Sequence, residues 1–160
     1  MATRYTLTPE SAQFPSSNFP ALTRVNERIV LAFDAGTDEK CYWTFVAPQG
    51  ITGTLTLLLF CIAASATSGA VYFQAQVEAV TPADAVDLDA TTSFDTANSG
   101  NATVAGTAGY LFTVPITLTN ADSVAAGDLV RIALNRDADN ASDTATGDVY
   151  LLTAEFRDGA

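Results

Sequence analysis

The sequence predicts an all-β protein, a single antiparallel β-sandwich of jelly-roll type with about eight strands and an irregular N-terminal arm. Three observations lead to this prediction. Several segments alternate apolar and polar residues with a period of two, no segment sustains a helical period, and Gly, Pro, Asp and Asn separate the segments. A length of 160 residues suits one domain, and 48% hydrophobic residues can build its core.

Alternation is clearest in residues 70–79, AVYFQAQVEA. Every second residue from Val71 to Val77 is apolar and is expected to face the core, because successive strand residues point to opposite faces. The residues between them, from Tyr72 to Glu78, are expected to face solvent. This pattern is typical of an antiparallel strand with one wet side.

Residues 110–119, YLFTVPITLT, repeat the pattern, with the apolar residues from Tyr110 to Leu118 on one face. Pro115 lies on the other face and indicates an edge strand or a bulge, since proline cannot donate a ladder hydrogen bond. The other expected strands are roughly 3–8, 28–34, 40–47, 53–63, 128–135 and 148–157.

A short turn ending in glycine recurs directly before three of these strands, as Ser65–Gly69, Ser123–Gly127 and Ser142–Gly147. Glycine adopts positive φ without steric cost, so the chain can reverse sharply at each of them. We therefore expect the same kind of tight turn at the start of three strands.

Two regions lack the pattern. Residues 9–25 contain three of the six prolines and are expected to form an irregular arm. Residues 80–108, a segment that contains several aspartates, are expected to form a long surface loop. The chain is accordingly divided into an N-terminal strand and proline-containing arm, 1–25, and a jelly-roll domain, 26–160.

The arm has two interpretations, which the sequence leaves open. It could pack over its own sandwich, or it could dock on a sister subunit or another protein through Phe14, Phe19 and Leu22, with prolines lowering the entropy lost on ordering. Those three residues are the candidate interface residues.

Composition argues against several kinds of chemistry. The chain has no histidine, one lysine, and a net charge of −11, with 18 acidic and 7 basic residues. Catalysis that depends on histidine is therefore excluded, no catalytic residue or cofactor site is predicted, and we expect a protein that is not an enzyme. Nucleic acid is not an expected partner, because the basic residues are few and scattered.

Membrane insertion and secretion are not expected either. The N-terminus has no apolar segment of the kind found in signal peptides, and the most apolar run, residues 55–66, is too short to cross a bilayer. This run is expected to be a buried strand. Cys41 and Cys61 are expected to be reduced core residues, with a disulfide across a hairpin as the alternative.

One acidic cluster could hold calcium. Asp137, Asp139 and Asp143 lie within seven residues, and carboxylate oxygens are the ligands that Ca²⁺ prefers. The spacing lacks the glycine and the closing glutamate of an EF-hand, so a solvated loop is favoured and no metal site is predicted. Arg131 and Arg136 are expected to form salt bridges that hold this loop, with an anionic ligand as the alternative.

Aromatic residues also have two interpretations. Trp43 and Phe45 are expected in the core, since alternate aromatic residues of a sandwich strand usually pack inside. Tyr42, Tyr72 and Tyr150 could form a platform for sugars, although periodicity places Tyr150 on the apolar face of its strand.

Turn and strand segments of this chain resemble small virion-associated proteins encoded by tailed bacteriophages. The likeness spans about residues 29–157 and excludes the arm. It is carried by ADSVAAGDLVR at 121–131, NRD at 135–137, SDTATGDVYL at 142–151, FDAGTDE at 33–39 and ASATSG at 64–69.

The resemblance implies a β-sandwich of the capsid decoration, or cement, type. Such a protein would be a homotrimer on the outer surface of the virion, would be made in the host cytoplasm, and would bind the major capsid protein and stabilise the shell. The alternative is a fibre or receptor-binding module that recognises glycans on the host surface.

Overall fold

The computed structural model describes residues 1–159, which form ten strands and one short 3₁₀ helix, Pro9–Ser11. No helix in this part of the chain is long and apolar enough to span a membrane. The strands are β1 (Ala2–Leu7), β2 (Ala21–Val25), β3 (Arg28–Phe33), β4 (Glu39–Val46), β5 (Thr56–Ala63), β6 (Ala70–Val80), β7 (Asn98–Thr103), β8 (Leu111–Thr117), β9 (Leu129–Arg136) and β10 (Val149–Asp158).

The strands form two antiparallel sheets that enclose one hydrophobic core. The large sheet has six strands in the order β2-β3-β10-β5-β8, with β1 paired to the C-terminal half of β10. The small sheet has four strands in the order β4-β9-β6-β7. The prediction of an all-β sandwich is confirmed.

All eight expected strands are present within two or three residues of their expected bounds, and two further strands were not expected. β2 occupies the last five residues of the predicted arm, so that end of the arm is not irregular. β7 lies inside the predicted loop 80–108, because Asn98–Thr103 pairs with β6. β8, which contains Pro115, is an edge strand of the large sheet, as predicted.

The core contains most of the residues that alternation assigned to it, but Tyr110, predicted on the same face as Leu118, is 65% exposed because it lies before β8 begins. Val71, Phe73 and Val77 are fully buried, and Trp43 and Phe45 are buried as well, as predicted. The indole nitrogen Nε1 of Trp43 donates a hydrogen bond to the Thr8 carbonyl oxygen at 2.9 Å, so the one polar atom of this ring is satisfied.

The two cysteines are buried free thiols, which confirms their predicted core position. Burial raises the pKa of both the Cys41 and the Cys61 thiol, because the apolar surroundings disfavour the charged thiolate. Both side chains therefore act as small hydrophobic groups.

The three recurring turns are built as predicted. Gly69, Gly127 and Gly147 have φ values of 88°, 91° and 89°, a region that other residues rarely adopt. A Cβ atom on Gly69 would also meet the backbone of Thr144 and Ala145. The turns before β6 and β10 therefore pack directly against each other.

A β-bulge in β10 corrects the prediction for Tyr150. The pairing of β10 with β5 shifts register between Leu151 and Thr153, and a one-residue shift moves the following side chains to the other face. Val149 and Leu151 face the core before the bulge, whereas Ala154 and Phe156 face it afterwards. Tyr150 therefore points outward, away from the core.

Arg136, the last residue of β9, is completely buried and joins the two sheets at one end. Its Nε and one terminal nitrogen donate to both carboxylate oxygens of Asp143, at 3.0 and 2.9 Å. Its remaining N–H groups donate to backbone carbonyls of Phe33, Asp34, Ala145 and Gly147. The prediction that Arg136 holds the acidic loop through a salt bridge is confirmed.

Removal of one partner of this pair should strongly destabilise the fold. Arg136→Met or Asp143→Asn leaves the other charge buried and unpaired, which costs about 3–5 kcal/mol. Urea unfolding of Arg24→Met provides the control, because the Arg24–Glu27 pair is exposed and should contribute about 0–1 kcal/mol. Equal losses in the two arginine variants would contradict this account of Arg136.

Gly100 lies where β7 crosses β8 at a corner of the sandwich. A Cβ atom at this position would meet the Pro115 carbonyl oxygen and the Ile116 side chain. Beside it, the buried Asn98 amide donates to the carbonyls of Ala75 and Asn120 and accepts from the Asn120 amide. The close approach of backbones therefore requires glycine here.

Gly100→Ala should lower the free energy of unfolding by about 1–3 kcal/mol, because the added methyl group must push two strands apart. Gly106→Ala is the matched control, since a Cβ atom there meets nothing within 4 Å and should change stability by about 0.5 kcal/mol or less. Chemical denaturation measures both. A Gly100→Ala protein as stable as the control would show that the corner is not tightly packed.

Candidate interaction surface

The predicted arm runs along the outside of its own sandwich. Gln13 and Tyr42 exchange two backbone hydrogen bonds of 2.7 and 2.8 Å, and the Lys40 amide donates to the Asn18 carbonyl at 2.9 Å. The segment thus covers the free edge of β4 before it continues into β2, the edge of the large sheet. An open strand edge is a site of uncontrolled pairing, and the arm closes one.

The three candidate interface residues remain accessible while the arm is bound. Phe14, Phe19 and Leu22 are 37%, 44% and 49% exposed. The rings of Phe14 and Phe19 contact each other with centroids 5.4 Å apart, whereas Leu22 lies on β2. The arm therefore packs over its own sandwich and still presents an aromatic pair to solvent, so the two interpretations are compatible.

The start of the chain is held in place by an ion pair. Arg4 on β1 donates from Nε to Asp158 on β10 at 2.6 Å, and the second carboxylate oxygen accepts the Thr52 amide at 2.7 Å. These hydrogen bonds, the one from Arg4 first, lower the pKa of Asp158, because they stabilise its charged form. Leu7 completes the attachment by packing into the core.

The outer face of the large sheet, here called the open face, is unusually apolar. Its members alternate with core residues along each strand, and the register places Tyr150 beside Ile62 and Ile62 beside Leu111. An outward face of an antiparallel sheet is normally polar. The apolar residues of the open face are Leu58, Phe60 and Ile62 of β5, Leu111 of β8, and Tyr150 and Leu152 of β10.

The most apolar run of the sequence, residues 55–66, was expected to be a buried strand. Its strand β5 lies in the large sheet between β10 and the edge strand β8, and it buries Leu57, Leu59 and Cys61 in the core. The alternate residues from Leu58 to Ile62 are only half-buried, so the prediction is correct for one face of the strand alone. When both faces of an antiparallel strand are apolar, one face packs in the core and the other forms an apolar outer surface, which is typical of a site that contacts another molecule.

A groove of about 530 Å³ crosses this open face, lined by residues that include Val25, Arg28, Ile62, Leu111 and Leu152. Val30 is fully buried, although it does not belong to the core cluster. It pairs with Thr23 of β2 on this side of the sheet. The open face therefore has a groove in its surface, and neighbouring side chains already cover one of its apolar residues, Val30.

Charge is sparse on the open face. Within strands β3, β5, β8 and β10, the charged residues on this side are Arg28, Glu155 and Arg157. Arg157 forms an ion pair with Glu155, and its guanidinium carbon lies 6.0 Å from the centre of the Phe60 ring. This face therefore carries a slight positive charge on a chain whose net charge is −11.

The small sheet differs, because the chain covers part of its outer face. The Asp95 amide donates to the Val77 carbonyl, and Ser93 donates from its backbone nitrogen to Glu78 at 2.5 Å. Glu78 is consequently buried, which corrects its predicted exposure. The loop that follows β6 acts as a partial cover.

The proposed tyrosine platform is not assembled on one surface. Tyr42 and Tyr72 lie on the small sheet, whereas Tyr150 lies on the large sheet. Tyr42 is stacked against Phe94 with centroids 6.0 Å apart.

The predicted salt bridge of Arg131 with the acidic loop is wrong. The Arg131 guanidinium lies 4.4 Å from the centre of the Tyr42 ring and forms no salt bridge among residues 1–159.

Of the three carboxylates considered for calcium, the structure brings together two. Asp137 and Asp139 lie with Asp38, and one oxygen of each is within 4.8 Å of the others. Asp143 instead binds Arg136. Asp38, Asp137 and Asp139 are therefore the carboxylates that could hold an oxygen-preferring cation together. A hydrogen bond with Asp137 and the charge of Asp38 raise the pKa of Asp139.

Neither a scan of protein-family models nor a search of curated proteins finds a significant match to this chain.

The Arg4–Asp158 pair predicts a defined pH dependence. A carboxyl group with a lowered pKa in the folded state contributes stability above its ordinary pKa of about 4, and this contribution disappears as the pH falls below that value. Thermal unfolding of Asp158→Asn should therefore differ from the parent most at pH 7, with the difference shrinking below about pH 4. Asp89→Asn, in an exposed loop, is the control. A difference for Asp158→Asn that is constant from pH 7 to pH 2 would contradict this assignment.

Proposed function

We propose that this chain is a structural virion protein that binds the major capsid protein on the outside of a tailed-phage capsid and stabilises the shell. The observation that carries the proposal is the open face, an apolar and slightly positive surface on an otherwise acidic protein. The phage resemblance of the turn and strand segments supplies the identity of the partner.

The open face suits a permanent contact. Interface centres are depleted of charge and enriched in aromatic residues, and Phe60 and Tyr150 lie among aliphatic residues here. The slight positive charge favours an apolar partner surface that is neutral or acidic. The remaining surface carries the negative charge and would keep closely spaced copies soluble and unattracted to nucleic acid.

The strand order supports the jelly-roll part of the fold prediction. From β3 to β10 the chain alternates between the sheets, except for the β6–β7 hairpin, which lies within the small sheet. Strands β3-β10-β5-β8 therefore face strands β4-β9-β6-β7, the arrangement of two interlocked Greek keys. A jelly roll would supply a rigid body for such a contact, and a structural role of this kind requires no catalytic group.

The arm supplies a second contact in this proposal. Phe14 and Phe19 form an exposed aromatic pair beside the edge strand β2. In a homotrimer this pair would meet a sister subunit, while the open face meets the shell. The two surfaces can be tested separately.

Binding to capsids depleted of the protein tests the proposal. Leu111→Glu, at a position 60% exposed on the open face, should weaken binding at least about tenfold, because the contact would bury an unpaired carboxylate. Val46→Glu is the matched control, since it adds the same charge to a residue 59% exposed on the small sheet. Occupancy of sedimented capsids measures both.

The double variant Phe14→Ser/Phe19→Ser completes the design. It should bind with reduced occupancy and give a lighter species in analytical ultracentrifugation, because the aromatic pair contributes to the trimer. The proposal fails if the parent protein does not bind capsids, or if Leu111→Glu and Val46→Glu bind equally well.

A further inference from the structure

A second surface of the molecule, on the opposite sheet, has the properties of a small-ligand site. A groove of about 230 Å³ lies over the small sheet, between the arm and the loop that follows β6. Its polar lining residues include Gln13, Thr44, Thr91 and the charged pair Glu78 and Arg131. Sites for drug-sized ligands occupy about 300–1,000 Å³, so this groove admits a single small unit.

Arg131 brings donors to this groove that the protein leaves unused. Among residues 1–159 it has no carboxylate partner within 4.0 Å and no hydrogen-bond acceptor. Its guanidinium is nevertheless held in place, 4.4 Å from the centre of the Tyr42 ring and 5.5 Å from that of Phe94. All 18 acidic residues lie within residues 1–159, and in this part of the chain the arginine forms an ion pair with none of them.

Glu78 brings an acceptor to the same place. Its Oε1 accepts the Ser93 amide and hydroxyl, at 2.5 and 3.3 Å, which fixes the carboxylate. Its Oε2 has no protein donor, and no fully buried side-chain oxygen in residues 1–159 lacks a partner. Oε2 therefore reaches the solvent of the groove.

The two groups are direct neighbours that do not bond to each other. Glu78 on β6 and Arg131 on β9 are cross-strand partners, and such pairs have Cβ atoms about 5 Å apart. Ser93 fixes Glu78 on one side and the two rings fix Arg131 on the other, so no ion pair of 4.0 Å or less forms. A fixed donor and a fixed acceptor thus lie side by side without satisfying each other.

The chemistry of the groove selects among ligands. A ligand must offer Arg131 an acceptor and Glu78 a donor within one small unit, and hydroxyl groups do both. An anion would meet the Glu78 carboxylate and a protein of net charge −11, whereas a cation would meet the Arg131 guanidinium. The aliphatic side chains of Val80, Leu88 and Leu129 complete the lining and can contact C–H groups.

We propose that this groove binds one neutral sugar ring of a larger glycan, with adjacent hydroxyls hydrogen-bonded to Arg131 and Glu78. Gln13 and Thr44, which are joined by a 3.1 Å hydrogen bond, lie at the edge of the site. The site is on the sheet opposite the open face, so the proposal does not depend on capsid binding.

Titration of the ¹⁵N-labelled full chain with D-glucose, D-galactose and N-acetylglucosamine, observed by NMR, tests this site. At least one sugar should cause saturable shifts at residues of the groove. Arg131→Gln and Glu78→Gln should each weaken binding at least about tenfold. Arg157→Gln is the matched control, since this arginine also lies over an aromatic ring but on the open face, and it should bind like the parent.

Gln13→Ala guards against loss of folding in the first two variants, because its contact with Tyr42 is made by backbone atoms. It should keep the fold and weaken binding about threefold or more. The proposal is overturned if none of the neutral sugars binds, if only glucuronic or sialic acid binds, or if binding survives in all three groove variants.

Discussion

The buried guanidinium of Arg136 is the constraint on which one end of the molecule depends. It reaches from the small sheet to the end of β3, a strand of the large sheet, and to the loop that leads into β10 of the same sheet. A charge in this position would be costly if any N–H group were unpaired, and the Asp143 carboxylate with four carbonyl oxygens satisfies all of them. Asp143 in turn accepts the Tyr72 amide at 3.0 Å, which ties the loop back to β6.

With its end fixed in this way, the sandwich presents two different faces. The loop after β6 partly covers the small sheet and leaves a polar groove with a fixed arginine and a fixed carboxylate. The large sheet presents half-buried apolar side chains from β5 on its outer face. The polar groove of the small sheet suits a small polar ligand, and the apolar open face of the large sheet suits a protein surface. One sandwich can therefore make two different contacts.

Much of this fold was predictable, because alternation and glycine turns are local. The strand β7 was missed because its sequence, NSGNAT, has no alternation of apolar residues. It is held by its backbone pairing with β6 and by the close approach to β8 that Gly100 permits. Tyr150 was assigned to the wrong face because a bulge is invisible to periodicity. Asp143 lies only seven residues after Arg136, so that pair was within reach of the sequence. Within residues 1–159 Arg131 pairs with no carboxylate, and its ring contacts with Tyr42 and Phe94 involve segments distant in sequence. The open face could have been predicted from residues 55–66, because this run is apolar on both faces of β5. The run was interpreted only as a buried strand.

The central claim is that the open face is covered by a capsid subunit. Electron cryo-microscopy of the virion, with and without this protein, tests it most directly. The account predicts additional density on the outer shell, with the large sheet toward the shell and Leu58, Phe60 and Leu111 at the contact. A reconstruction in which the open face points to solvent, or in which the protein is absent from the shell, would contradict it.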